Sequence, residues 1–316
     1  MHLFPKTHFD FLKMRWGFFV VSGILIAGSV VSLATKGVKY GIDFTGGTVV
    51  QLTFDKPVEV KTLRGAMEKA GIDNPAIQHY NDTNTFSVRF QADAKRSAEQ
   101  LEKDLTAISA SFGDNKMRVD SKEFVGPSVG KHLFMQALWA IVLSLAGIII
   151  YLAFRFSNPI WGVAGIIALF HDIFCTYGLF SILGKEVDLL IVSAILTIGG
   201  YSIHDTIVIF DRMREKLKHM RKEPLSTVMN ESINETLSRT VITSFTVFVV
   251  VMILFLFGGQ VIHHFAMAMV FGCIVGTYSS IAVAAPLVYE WHVRSGAERR
   301  VEASSAAVKK PKPIKK

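Results

Sequence analysis

Charge is scarce in this chain of 316 residues: only 19% of them are Asp, Glu, Lys or Arg, and those are clustered. The clustering leaves apolar runs of the roughly 18 to 25 residues that a bilayer core demands. Half of all residues are apolar and the mean hydropathy is +0.38, which excludes a soluble enzyme, a disordered chain and a collagenous one. Cysteine is scarcer still. Cys175 and Cys273 both lie inside apolar runs, where a thiol behaves as a small hydrophobe, so there is neither a disulfide framework nor a CxxC metal pattern. A Walker motif, a His/Glu metal constellation and a nucleophile with an adjacent base are also missing. The expectation is a non-enzyme with no cofactor, no metal and no nucleic-acid partner.

Six stretches qualify as membrane helices, at about 16–34, 134–154, 159–183, 188–210, 240–257 and 264–290. Residues 36–131, between the first two, hold fourteen Lys or Arg against thirteen Asp or Glu, so the formal +8 of the chain resides elsewhere. Nineteen of the other twenty bases fall in the N-terminal tail, at 155, in the 212–239 loop and in the C-terminal tail. Those segments share one side if six spans alternate, and the positive-inside rule makes that side cytoplasmic. The predicted division is an N-terminal tail (1–15), a first span (16–34), an extracytoplasmic domain (35–132), a five-helix membrane domain (133–290) with a cytoplasmic loop at 211–238, and a basic tail (291–316). Lys309, Lys310, Lys312, Lys315 and Lys316 read as a topology signal, with a lipid or ribosome contact as the alternative. The first span reads as an uncleaved anchor. Lys13 and Arg15 precede it and Ser32-Leu33-Ala34 resembles a cleavage site, yet its apolar run exceeds the roughly 7 to 15 residues of a signal-peptide core.

The external block alternates strand, helix, strand, strand, helix, strand. Gly47 to Phe54 and Thr85 to Phe90 have strand-like β-branched and aromatic density, whereas Val60 to Ala70 and Ala98 to Phe112 show helical spacing. Gly71 and Gly113 are expected stops and Asp93 an expected N-cap. This order predicts a small ferredoxin-like βαββαβ sandwich. His79 stands alone there, so the block reads as a binding or mechanical module.

The chemistry is expected in the spans, because an ionisable side chain at membrane depth costs roughly 3 kcal/mol or more and marks a functional candidate. Asp172, beside His171, lies near the middle of span three; Asp205, beside His204, lies in span four; Arg239 opens span five. A carboxyl at such depth with no nearby cation favours its neutral form and can take up and release a proton. Ser193, Thr197, Gly200, Tyr201, His204 and Asp205 fall within an arc of about 140° on one helix, a protic stripe suited to close packing or to lining a wet path. Arg239, Thr243 and Thr246 share a face of span five, and Gly165, Ala168 and Asp172 one of span three. Asp205 is placed about one turn, roughly 6 Å, inside the cytoplasmic boundary where Arg239 begins the next helix, so the two can meet. Two readings stand: a gate in which Arg239 approaches and leaves a proton-carrying Asp205, and a static ion pair that fixes packing. His204 reads as a packing neighbour or a relay member, and Asp172 with His171 as a relay or a structural hydrogen bond. The segment from Leu225 to Leu237 is amphipathic and suits a hinge-linked helix on the inner membrane surface, after a basic stretch that includes Arg221 and Lys222.

Two motifs carry a family resemblance. Tyr40-Gly41-Ile42-Asp43-Phe44-Thr45-Gly46-Gly47 resembles the entry motif of the bacterial SecD and SecF translocase subunits, and residues 200–215, from Gly200 and Tyr201 through Asp205 to Arg214 and Glu215, closely resemble SecF, as do Asn234 to Thr243. The resemblance covers essentially the whole chain. It implies an accessory subunit of the Sec machinery in the cytoplasmic membrane, related to the proton-driven RND efflux superfamily. The implied partners are SecD, the SecYEG channel, YajC and translocating preproteins. It implies use of the proton or sodium gradient to draw preproteins out, with Asp205 and Arg239 in the ion pathway. His204 stands where the family usually has Asn, which leaves the ion open. Two other functions are to be separated from this one: a non-transporting scaffold of the Sec complex, and a homodimeric small-molecule exporter of the same superfamily. Asp43 and the Gly46-Gly47 pair read as structural, a tight turn where the chain leaves the membrane.

Overall fold

The computed structural model describes residues 7–72, 75–79, 84–90, 98–156, 158–220 and 223–295. The basic tail with Lys309 to Lys316, the expected cap Asp93, and Arg221 and Lys222 lie outside the described residues. In chain order the elements are α1 (Arg15–Lys36), β1 (Lys39–Tyr40), α2 (Ile42–Thr45), β2 (Gly47–Phe54), α3 (Val60–Lys69), β3 (Ala76–His79), β4 (Thr85–Phe90), α4 (Ala98–Ala110), β5 (Met117–Val125), α5 (Pro127–Arg155), α6 (Pro159–Leu183), β6 (Glu186–Val187), α7 (Leu189–His219), α8 (Leu225–Phe257), α9 (Gly259–Ser279), a π-helical segment (Ser280–Ala284) and α10 (Ala285–Arg294). Residues 40–140 form one unit and the rest of the chain a second.

In the first unit, β2 to β5 form a sheet of order β3-β4-β2-β5 in which every pairing is antiparallel. With α3 and α4 this is the expected βαββαβ order. Alternation turns Val50, Leu52 and Phe54 of β2 and Phe86, Val88 and Phe90 of β4 into one buried layer against Leu63 and Met67 of α3 and Leu105 and Ile108 of α4. Burying each such side chain fully contributes about 1.5–3 kcal/mol, and this layer is what makes a small sheet stable. Both expected stops are glycines in the left-handed region, Gly71 at φ +81° and Gly113 at φ +55°. The Gly-Gly motif has a steric reason. Gly46 has φ +69°, and a Cβ there would lie 3.0 Å from Cα of Pro127, so only glycine admits the start of α5. The rings of Tyr40, Phe44 and Phe134 meet edge to face beside it, with centroids 5.7–6.2 Å apart.

The second unit holds the other membrane helices and the C-terminal half of α5, and among the described residues six helices are long and apolar enough to cross a bilayer. α6 matches its expected limits. α7, α8 and the last span do not. α7 continues to His219, and the surface helix expected separately at 225–237 is the N-terminal part of one unbroken α8 of 33 residues. No Gly or Pro interrupts residues 225–257, so nothing makes a hinge. Beyond the apolar runs, α7 and α8 are joined by ion pairs from Arg212 to Glu235 and from Lys216 to Glu231 and Glu235. Phe210, Met213, Met229 and Ile233 are buried beneath. The last span widens into π-helix just before Pro286, which has no N–H to bond to Ala282 and whose ring would strike that carbonyl in an α-helix.

α1 packs through serines. Ser29 sits against Gly178, where an added Cβ would come within 2.1 Å of its Oγ, and Ser32 meets Ser181 at 2.8 Å. Ser22 meets the hydroxyl of Tyr278 at 3.1 Å. Both cysteines are free and buried, as expected of small hydrophobes.

Candidate functional site

Close approach of α6, α7 and α9 is what builds the site. Gly165 of α6 lies against Ile203 and Thr206 of α7. Gly272 and Gly276 of α9, four positions apart, lie against Ile198 and Ser202 of α7; a Cβ on Gly276 would be 3.0 Å from Cβ of Ser202. This is the small-xxx-small arrangement by which membrane helices bring their backbones together.

Asp172 is fully buried, at 0% exposure, and three elements converge on it. Ser202 of α7 and Ser279 of α9 both donate to Oδ2, the latter at 2.6 Å, while Nδ1 of His171 lies 2.9 Å from Oδ1. Nε2 of His171 lies 3.8 Å from Sγ of Cys175. Both carboxyl oxygens are thus engaged, as burial of an acid in lipid requires. Gly165 and Ala168 share its buried face, as expected.

Asp205 is buried too, but more loosely held. Among the described residues its one hydrogen bond comes from Ser244 of α8, at 3.3 Å. Thr277 of α9 lies behind, donating to Oγ of Ser244 at 2.8 Å, and the hydroxyl of Tyr201 is 3.4 Å from Thr277 and 3.2 Å from Sγ of Cys273. A chain of hydroxyls therefore runs from Tyr201 to the carboxylate.

Arg239 does not join it. Its side chain is exposed, and among the described residues no ion pair within 4.0 Å links it to Asp205. The static pair, one of the two readings of these residues, is not formed. The face of α8 turned to Asp205 is the one bearing Ser244; Arg239, Thr243 and Thr246 lie on a more open face. The protic stripe of α7 is turned away from the other helices of this chain at most of its positions. Ser193, Thr197, Gly200 and His204 are exposed, while Ile191, Ile195 and Ile198 are buried. Packing against a neighbouring helix is therefore not the stripe's role within this chain. Ser193 and Thr197 satisfy themselves by donating to the carbonyls of Leu189 and Ser193. His204, expected as a packing neighbour or relay member, faces outward.

Ser202, Ser244, Thr277 and Ser279 escaped the sequence reading. Single hydroxyls in apolar runs are common, and only the spacing of Gly272 and Gly276, followed by Ser279 and Ser280, marked that face of α9 as one of close approach.

Comparison with known proteins places the chain. A family profile for "Protein export membrane protein SecD/SecF, C-terminal" matches residues 104–294, and one for the SecD/SecF GG motif matches residues 31–58. The chain belongs to the SecF family of protein translocase subunits. A SecF of Endomicrobium trichonymphae is 38% identical over 302 residues, covering 95% of this chain and 97% of that one. A SecF of Calditerrivibrio nitroreducens is 42% identical, covering 90% and 94%. The crystal structure of SecDF from Thermus thermophilus, described as a translocon-associated membrane protein, superposes with a TM-score of 0.83 at 38% identity over 91% of this chain. A SecDF structure in a super-membrane-facing form superposes with a TM-score of 0.69 over 95%. The chain spans 39% of the first SecDF chain and 41% of the second. The Gly-Gly turn at Gly46, the two buried acids and Arg239 are thus features of a SecF-family protein.

Proposed function

We propose that this SecF-family chain pairs with a SecD subunit and uses the proton or sodium gradient to promote the late stage of protein export through the SecYEG channel, with YajC as a further partner. Family membership makes it a translocase subunit acting in export; the geometry bears on the mechanism. The observation that carries the reading is Asp205, an acid in a membrane helix whose one hydrogen bond is a long one and whose cation stands off. An acid so held can change its protonation at little structural cost, whereas Asp172, with three partners, is held rigidly. Arg239 approaching Asp205 would stabilise its ionised form and, withdrawing, would free it to take a proton. Asp172 and His171 then belong to the same pathway as its fixed end, and His204 to its outward face, where its ring can meet the ion or the partner.

The SecD subunit is proposed to cover the exposed stripe of Ser193, Thr197, Gly200 and His204 together with Arg239 and Thr246. Hydroxyls and a guanidinium facing lipid would be costly, and small residues suit a close helix partner. Both termini are proposed to be cytoplasmic, residues 35–132 extracytoplasmic, and residues 211–238 a helical cytoplasmic extension.

The test is Asp205→Asn, nearly isosteric and unable to ionise, in vesicles carrying the complete complex at fixed voltage with pH and sodium varied separately. The expected outcome is an intact complex that has lost gradient-driven export, with the wild type responding to only one of the two ions. Unchanged export with this variant would favour the scaffold instead.

A further inference from the structure

The two buried acids lie on different helices, yet one turn of a third helix touches the surroundings of both. Ser279 donates directly to Asp172 at 2.6 Å. Thr277, two positions earlier on α9, donates at 2.8 Å to Ser244, which in turn donates to Asp205. Each of these two hydroxyls also has a second acceptor inside α9 itself. Thr277 lies 2.8 Å from the carbonyl of Cys273, and Ser279 lies 3.2 Å from that of Gly276. Either hydroxyl proton can therefore swing from the acid's side to its own backbone without leaving a donor unsatisfied. The backbone of this turn is pressed against α7 at Gly276 and Ser202, and the π-helical segment begins at the next residue, Ser280. A π-turn inside an α-helix is a place where the hydrogen-bond ladder is already loosened, and such turns recur at functional sites.

We propose that the Thr277–Ser279 turn of α9 links the two acids, so that a change of protonation at Asp205 is felt at Asp172 through Ser244, Thr277 and Ser279. Ser244, Thr277 and Ser279 are positioning residues: they orient the carboxylates and relay their state. When Asp205 becomes neutral it draws less strongly on Ser244; Thr277 is released toward the carbonyl of Cys273, the turn adjusts, and the bond from Ser279 to Asp172 adjusts with it. Other titratable neighbours are His171, Cys175 and Tyr278, whose ring centroid is 6.4 Å from that of His171, on the Asp172 side and Tyr201 and Cys273 on the Asp205 side, with His204 and Arg239 turned outward. A rival route exists along α7, where Ser202, a partner of Asp172, is three positions from Asp205, and the experiment must separate the two.

The link deepens the ion-coupling reading and rests on it, but it is measured differently. In the purified complex, the carboxyl band of Asp172 is assigned by infrared difference spectroscopy with Asp172→Asn. Asp205→Asn is then expected to shift that band in the otherwise wild-type chain. The shift is expected to vanish in Thr277→Val, which removes the hydroxyl at constant volume, and to persist in Thr277→Ser, which keeps it. Ser244→Ala breaks the same chain from α8 and serves as the second variant if Thr277→Val does not accumulate. An Asp172 band that ignores Asp205→Asn overturns the link. So does a shift that survives both Thr277→Val and Ser244→Ala, which would assign the coupling to α7. Either result leaves the export role of Asp205 standing, because that role is judged by gradient-driven export alone.

Discussion

Ser244 and Arg239 both stand on α8, five positions apart, and only Ser244 reaches Asp205. Five residues turn an α-helix by about 500°, or roughly 140° net, so the two side chains leave α8 in different directions. Exchanging one for the other needs a rotation of α8 of that order, or a rearrangement of the long Arg239 side chain around it. The acid thus has a neutral partner in contact and a cationic one in reserve, which suits an ion-coupled machine better than a permanently paired aspartate does.

Arg239 is therefore expected to matter for coupling and not for stability. Arg239→Gln removes an exposed side chain with no ion pair, and its effect on thermal stability is expected to stay within about 0.5 kcal/mol. Gradient-driven export is expected to fall as far as it does in Asp205→Asn. Melting of this chain purified without SecD, where Arg239 is exposed, and vesicle export of the complete complex check the two halves separately.

The α1–α6 contact makes a steric prediction. Gly178→Ala places a Cβ within 2.2 Å of Cβ of Ser29, and overpacking of this kind costs about 1–3 kcal/mol. Ser29→Gly removes the two nearest obstructing atoms, Oγ and Cβ, and leaves Cα of residue 29 at 2.9 Å. The double variant is expected to recover part of the stability that Gly178→Ala loses, read as abundance in the membrane and as melting temperature.

The N-terminal segment is fastened by two asparagines of α8. Asn234 accepts from N–H of Phe9 at 2.9 Å and donates to its carbonyl at 2.8 Å, while Asn230 accepts from N–H of Leu12 at 3.1 Å. Asn234→Ala leaves both backbone groups of Phe9 to water, since the site is exposed, and each lost bond is worth about 0.5–1.5 kcal/mol. Limited proteolysis is expected to cut near residues 7–12 faster in this variant, with the melting of the membrane unit little changed.

In the sheet-bearing unit, Asp120 titrates below the usual aspartate range, chiefly because Thr53 donates to its carboxylate, with Arg118 assisting. A lowered folded value means that the stabilisation is present above the unfolded value, near pH 4, and is lost as pH falls through the folded one. Thr53→Val is expected to raise the midpoint of Asp120 toward the ordinary value, read by NMR titration of its carboxyl carbon.

Local chemistry made much of the fold legible without a structure. Six apolar runs, the alternation in β2 and β4, the helical spacing in α3 and α4, and glycines at 71 and 113 each act within a few residues, so their meaning is contained in the string of letters. Asp172, Asp205 and Arg239 stood out for the same reason, because a charge in an apolar run is conspicuous wherever it points. What tertiary structure alone decided was direction. A stripe of Ser193, Thr197, Gly200 and His204 looks the same on a helical wheel whether it faces in or out, and packing through Gly165, Gly272 and Gly276 turned it outward. The partners of the acids, Ser202, Ser244 and Ser279, sit 30 or more positions from the carboxylates they serve, and Thr277, which acts through Ser244, is as remote. A hydroxyl becomes a partner only when close packing of glycine-bearing helices brings it within hydrogen-bond reach. Distance of that kind is a property of the packed chain, not of its order.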